Sequence, residues 1–191
     1  MRILEVAREL IENSEGKLVR ISDIAKNADL SRQAIYLHYE SRTELLIHLV
    51  RYVDEVHEFK KLMESVCAQE SSEKMLHAFI HQWCDYLPLI GKIAHAMHHH
   101  QEYDDDARIA WQDRMHVFME LCECVAENLH LSGHLKDDWD VRRAAEFIWV
   151  TCSIRNWHDY TEIIGWEGST YKKYIELTLN NTLLKQLHKE L

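Results

Sequence analysis

The chain has 191 residues, with 22 Lys and Arg against 32 Asp and Glu, 47% hydrophobic residues, five glycines and one proline. So little Gly and Pro, against roughly 12% in an average protein, speaks against sheets and loop-rich folds, which need turn residues. An all-α fold is therefore expected. Charged residues make up 28% without low-complexity tracts, which argues against disorder. No apolar run approaches the roughly 20 residues of a membrane span, and Glu5 interrupts any signal-like start. Five cysteines, an odd number with no CxxC pair, read as reduced thiols, and a cytoplasmic protein is expected.

In chain order, Ile3, Ala7, Leu10 and Ile11 recur at helical spacing and predict a first helix over 2–13. The stretch 13–16 breaks it. Ser22 serves as N-cap of a short second helix with Ile24, Ala25 and Ala28 inward. Asp29-Leu30-Ser31 reads as a tight turn, followed by a third helix over 32–38 with Ile35 in the core. Ser41-Arg42-Thr43-Glu44 is a capping box that opens a long fourth helix through Leu45, Leu49, Tyr52, Val56 and beyond.

The remainder predicts longer helices: 72–86, stopped by Pro88, then 89–101. Asp104, Asp105 and Asp106 suit a helix N-terminus, where the dipole favours carboxylates. That helix carries Trp111, Met115, Phe118, Cys122, Val125 and Leu129 and ends at Leu131-Ser132-Gly133-His134. Val141, Ala144, Ala145, Ile148 and Cys152 mark another over 139–163, and a last one covers 169–188. The division expected is a small three-helix unit over 1–46 fused to a larger helical bundle over 47–191.

The net charge of −10 disfavours a nucleic-acid partner as a whole, but its distribution does not. Residues 1–53 hold eight basic and eight acidic residues, so the excess lies entirely in residues 54–191, with 14 basic and 24 acidic. Two short helices joined by a tight turn and packed on a preceding helix form a helix-turn-helix. Ala25 lets the helices approach, and Leu30 and Ile35 supply an apolar wedge. Arg32 and Gln33 can reach base edges, arginine preferring guanine and glutamine adenine. Tyr36 and His38 suit phosphate oxygens, with Arg42 as a further cation.

Residues 3–46, notably Ser22-Asp23-Ile24-Ala25, Ile35-Tyr36-Leu37-His38-Tyr39 and Ser41-Arg42-Thr43-Glu44-Leu45-Leu46, closely resemble the TetR family of bacterial transcriptional regulators. Segments 110–115 and 154–157 look similar to one TetR subgroup. Asp29 stands where the family usually has Gly, at a position needing φ > 0, which aspartate tolerates. The resemblance implies DNA contact by Ser22, Ser31, Arg32, Gln33, Ala34, Tyr36, Leu37, His38 and Arg42. It further implies a homodimer through helices over 139–163 and 169–188, a palindromic double-stranded DNA operator, and a small-molecule inducer that releases a repressor.

The pocket expected for that inducer draws on Trp83, Met97, Trp111, Met115, Phe118, Phe147 and Arg155. Arg155 interrupts an apolar run and calls for either an anionic ligand or an acid across the dimer interface. Fourteen histidines raise metal binding, through His95, His98 and His99 or through His77, His81 and Cys84. Solvated or core histidines are commoner, and no HExxH motif accompanies either set, so neither metal nor cofactor is expected. No nucleophile and base stand in a catalytic motif, so no enzyme is expected. The rival reading is a His- and Cys-rich helical protein that binds a metal or small molecule without a DNA role.

Overall fold

The structure, a computed structural model, describes residues 2–14 and 17–185. Every element within them is helical: α1 (Arg2–Glu12), α2 (Ile21–Asn27), α3 (Arg32–Tyr36), α4 (Arg42–Val56), α5 (Phe59–Cys67), α6 (Ser72–His100), α7 (Asp105–Leu131), α8 (Val141–Thr151), α9 (Ile154–His158, continued as a π-helical turn, Asp159–Ile163) and α10 (Gly168–Leu183). The helices form two compact units. One comprises residues 1–60 and 88–116, the other 61–87 and 117–191, so α6 and α7 contribute to both. Among the described residues no helix is long and apolar enough to cross a membrane.

In the first unit α1 packs on α2 and α4, and α2 on α3. The contact surface is the apolar stripe anticipated above: Ala7, Ile11, Ile24, Ala25, Ile35, Leu45 and Leu49 are buried. Two details differ from expectation. Ser22 lies inside the first turn of α2, whose N-cap is Arg20, because Ile21 is already drawn into the core. Leu30 is half-exposed and so gives no core wedge; its N–H closes the turn on the Ala25 carbonyl at 2.9 Å.

Three long helices are divided differently from the periodicity. Helix α4 stops at Val56, where Glu58 takes a left-handed φ of 53° and the chain restarts as α5. Helix α6 runs unbroken through Pro88. Tyr86, Leu87 and Ile90 are buried around the proline, and their packing holds the helix across the missing hydrogen bond. The helix expected over 139–163 is interrupted at Cys152-Ser153. Ser153 caps α9 by accepting from the Asn156 N–H, and the Asn156 amide donates to the carbonyls of Val150 and Thr151. The Trp83 indole N–H takes the Cys152 carbonyl at 2.7 Å, so the break costs no unsatisfied carbonyl there. Residues 186–188, assigned to the last helix, fall outside the described residues.

The second unit is built on Leu76, Phe79, Ile80, Phe118, Val125, Ile148, Tyr171 and Leu179, all buried. Trp83 stacks on Phe118 with centroids 4.1 Å apart. Gly133 (φ 75°) turns the chain after α7, and Leu135 then bridges to Leu184 at the end of α10.

Candidate functional site

The α2–α3 hairpin is fixed by local chemistry. Ser31 caps α3 by accepting from the Ala34 N–H at 3.0 Å, and Asp29 sits at φ 55° in the turn, as the glycine-like position requires. Ile35 is fully buried and anchors the five-residue helix, which turns its other residues outward. Ser31, Arg32, Gln33, Tyr36 (43% exposed), Leu37 (86%) and His38 are all solvent-facing, Ala34 less so. An exposed leucine beside arginine, glutamine and tyrosine is a surface that gains by being covered.

Next to this face lies a groove of about 520 Å³ lined by Leu18, Arg20, Ile21, Ser22, Arg32, Tyr36, Arg42, His100 and Asp104. Three guanidinium groups and two hydroxyls converge there, the chemistry that holds phosphate oxygens. Arg20 was not singled out in the sequence. Its signal was its place between Leu18-Val19 and Ile21, at the entry to α2.

Arg42 is not a free cation. Its Nη1 bonds both oxygens of Asp104 at 2.8 and 2.7 Å and Asp106 at 3.2 Å, while the Thr43 hydroxyl donates to Asp106. Asp104 also caps α7 by accepting from the Ala107 N–H. Partial burial opposes its ionisation, yet the bonds from Arg42 and the Ala107 N–H outweigh that and hold its carboxyl below the ordinary carboxylate range. The acidic triplet thus does two jobs, capping α7 and pairing with the start of α4.

A second feature of the same unit is internal. Arg114 on α7 is 93% removed from solvent. Its Nε pairs with Asp54 at 3.3 Å and its guanidinium lies 4.3 Å over the Phe59 ring, while Nη1 and Nη2 are buried with no hydrogen-bond partner. Beside it is a small apolar cavity of about 30 Å³, lined by Val50 and Val53 of α4, Ile90, Ile93 and Met97 of α6, and Ala110 and Trp111 of α7. A buried guanidinium with two unused donors at an apolar cavity is costly to keep empty.

The residues assigned to a pocket fall in different surroundings. Met97 and Trp111 line this cavity. Trp83 and Phe118 stack together in the core of the second unit, Phe147 packs on Trp139 at 5.2 Å, and Met115 is half-buried. Arg155 is on the surface, 3.8 Å from Asp159.

A family model described as bacterial regulatory proteins, tetR family, matches residues 3–49, the stretch that builds α1 to α3 and the first half of α4. Over residues 3–49 the chain is similar to the tetR family of bacterial regulatory proteins. Its fold agrees over nearly its whole length with solved structures of low sequence identity. A TetR-family transcriptional regulator from Agrobacterium tumefaciens is 16% identical, covering 95% of this chain and 96% of that one, with a TM-score of 0.69. FadR from Bacillus subtilis, solved with stearoyl-CoA, is 18% identical over 98% and 99%, with a TM-score of 0.75. A transcriptional regulator from Saccharomonospora viridis, solved with choline, is 16% identical over 97% of both chains, with a TM-score of 0.76. No curated protein sequence matches.

Proposed function

We propose that this protein is a TetR-family homodimeric transcriptional repressor that reads a palindromic operator with α3. The observation that carries the reading is the exposed face Arg32-Gln33-Tyr36-His38, held outward by buried Ile35 beside a groove that gathers Arg20, Arg32 and Arg42. Arg32 and Gln33 read base edges, Tyr36, His38, Ser22, Ser31 and Arg20 hold phosphates, and Ala34 and Leu37 supply apolar contact in the major groove.

A second copy is expected on α8 to α10. Val150, Ile163, Ile164, Tyr174 and Leu177 are large apolar residues left exposed there, the kind of patch a partner covers. The two α3 helices then address half-sites about 10–10.5 base pairs apart.

The inducer's chemistry follows from Arg114. An apolar body with one carboxylate or similar anion satisfies Nη1 and Nη2 and fills the cavity lined by Met97 and Trp111. At about 30 Å³ the closed cavity has room for about one water. Ligand entry therefore displaces α4, whose N-terminal Arg42 belongs to the DNA groove, and this differential affinity shifts the population away from the DNA-binding state. The deciding experiment is selection of DNA from a random pool by the purified full chain, followed by sequencing. Recovery of a palindrome with that half-site spacing supports the reading, and a flat pool at low salt overturns it.

A further inference from the structure

We propose that His77, His81 and Glu176 form a binding site for a divalent first-row transition-metal ion, with zinc as the working probe. The two histidines stand four residues apart on α6, the spacing that puts side chains on one face. Their rings stack with centroids 4.0 Å apart. Glu176 reaches them from α10: His77 Nε2 lies 3.4 Å from its Oε1, and His81 Nε2 lies 3.3 Å from its Oε2. One donor atom from each of the three lies within 4.8 Å of the others.

Those separations are close to a coordination sphere. Tetrahedral zinc bound at about 2.0–2.2 Å spaces its ligand atoms about 3.3–3.6 Å apart. Each imidazole already lies at such a distance from one oxygen of Glu176, so closure on one ion asks that the imidazoles and the carboxylate adjust by side-chain rotation. Two imidazoles and one carboxylate select zinc, nickel, cobalt or copper over calcium and magnesium, which take oxygen ligands.

The surrounding charges leave the carboxylate available. Among the described residues Glu176 pairs with the two histidines and with no lysine or arginine. Of the two lysines one turn earlier on its own helix, Lys172 is held by Asp85 and Lys173 lies over the Tyr174 ring. Cys84, which shares the sequence spacing of His77 and His81, is buried instead, and burial pushes its thiol up to about 12. It is no ligand, and Glu176 takes its place. His77 is more than half exposed and His81 about a third, which leaves an entry path and a fourth position for solvent. The bound ion ties α6 to α10 within the second unit and stabilises the folded chain by mass action.

The test is calorimetric titration of the chelator-treated full chain with zinc chloride, paired with thermal unfolding in the presence and absence of zinc. One zinc per chain and a zinc-dependent rise in Tm are expected for the natural chain. His77→Ala, His81→Ala and Glu176→Gln should each weaken zinc binding at least about tenfold, since even an outer-shell partner of a metal site is worth 10–100-fold. Circular dichroism of the metal-free variants checks that they fold, and Glu176→Gln, which keeps the side-chain shape, carries the test where a histidine variant does not. His95→Ala/His99→Ala should bind as the natural chain does, and so should Cys67→Ser/Cys124→Ser, which removes the exposed and half-buried thiols of the chain, the other candidate zinc donors. The proposal is overturned if the natural chain takes up no zinc at neutral pH, if uptake survives in Glu176→Gln and the folded histidine variants, or if the cysteine pair abolishes it.

Discussion

The arginines of α3 and α7 make opposite use of the same side chain. Arg32 stands on a five-residue helix whose outward face is all solvent. Arg114 stands on a 27-residue helix, buried between an aromatic ring, one carboxylate and an apolar cavity. The first stays hydrated and costs nothing to keep; under the proposed function it meets a large polyanion. The second is desolvated already, and its unused donors cost stability while they stay unpaired. An exposed cation therefore reports through salt dependence, and a buried one through stability and ligand release.

That contrast can be broken, and the buried side offers the largest effect. Asp54→Asn/Arg114→Met removes both charges together. Denaturant unfolding should show it unchanged or more stable by up to about 4 kcal/mol, as when buried ion pairs elsewhere are replaced by apolar groups. A clear loss of stability would mean that Arg114 is fully satisfied in the folded chain and is no ligand anchor. On the surface side, Arg32→Ala should cost about 1–3 kcal/mol of operator affinity by fluorescence anisotropy and relax preference at one base pair. Its unfolding midpoint should stay within about 0.5 kcal/mol of the natural chain.

Asp104→Asn probes the pairing that ties up Arg42. Because the folded carboxyl is held below its unfolded value, its contribution is complete above about pH 4 and is lost as pH falls through the folded value. The variant should thus be less stable near neutrality and converge with the natural chain in acid, by Tm measured against pH. Freed from Asp104, Arg42 should also steepen the salt dependence of DNA binding by up to about one phosphate's worth, a slope change near 0.9. The smallest effect belongs to Asp29→Gly. Relief of the left-handed backbone should stabilise by under about 1 kcal/mol, little offset by losing the exposed Arg2–Asp29 pair.

The N-terminal region was legible because its signals are local. Ser41 caps the helix it precedes, and Asp29 takes the left-handed turn. Each acts within four residues of its own position. Pro88 misled because packing of its neighbours overrides the stop signal, and Ser153 passed unnoticed inside an apolar stripe although its capping chemistry was present. Arg114 could have been found: it stands three residues after Trp111 and four before Phe118, on the buried stripe, where a charge needs a reason. Arg42 gave no hint of Asp104, nor His77 of Glu176, since those partners lie 62 and about a hundred residues away in sequence.

Pro88 has one more effect on α6. It lacks the amide that would close on the Cys84 carbonyl, so the ladder of a 29-residue helix has a gap near its middle. Deuterium uptake in such a helix need not begin at its frayed ends. Amides flanking residue 88 should exchange in two separately protected blocks, and Pro88→Ala should merge them into one.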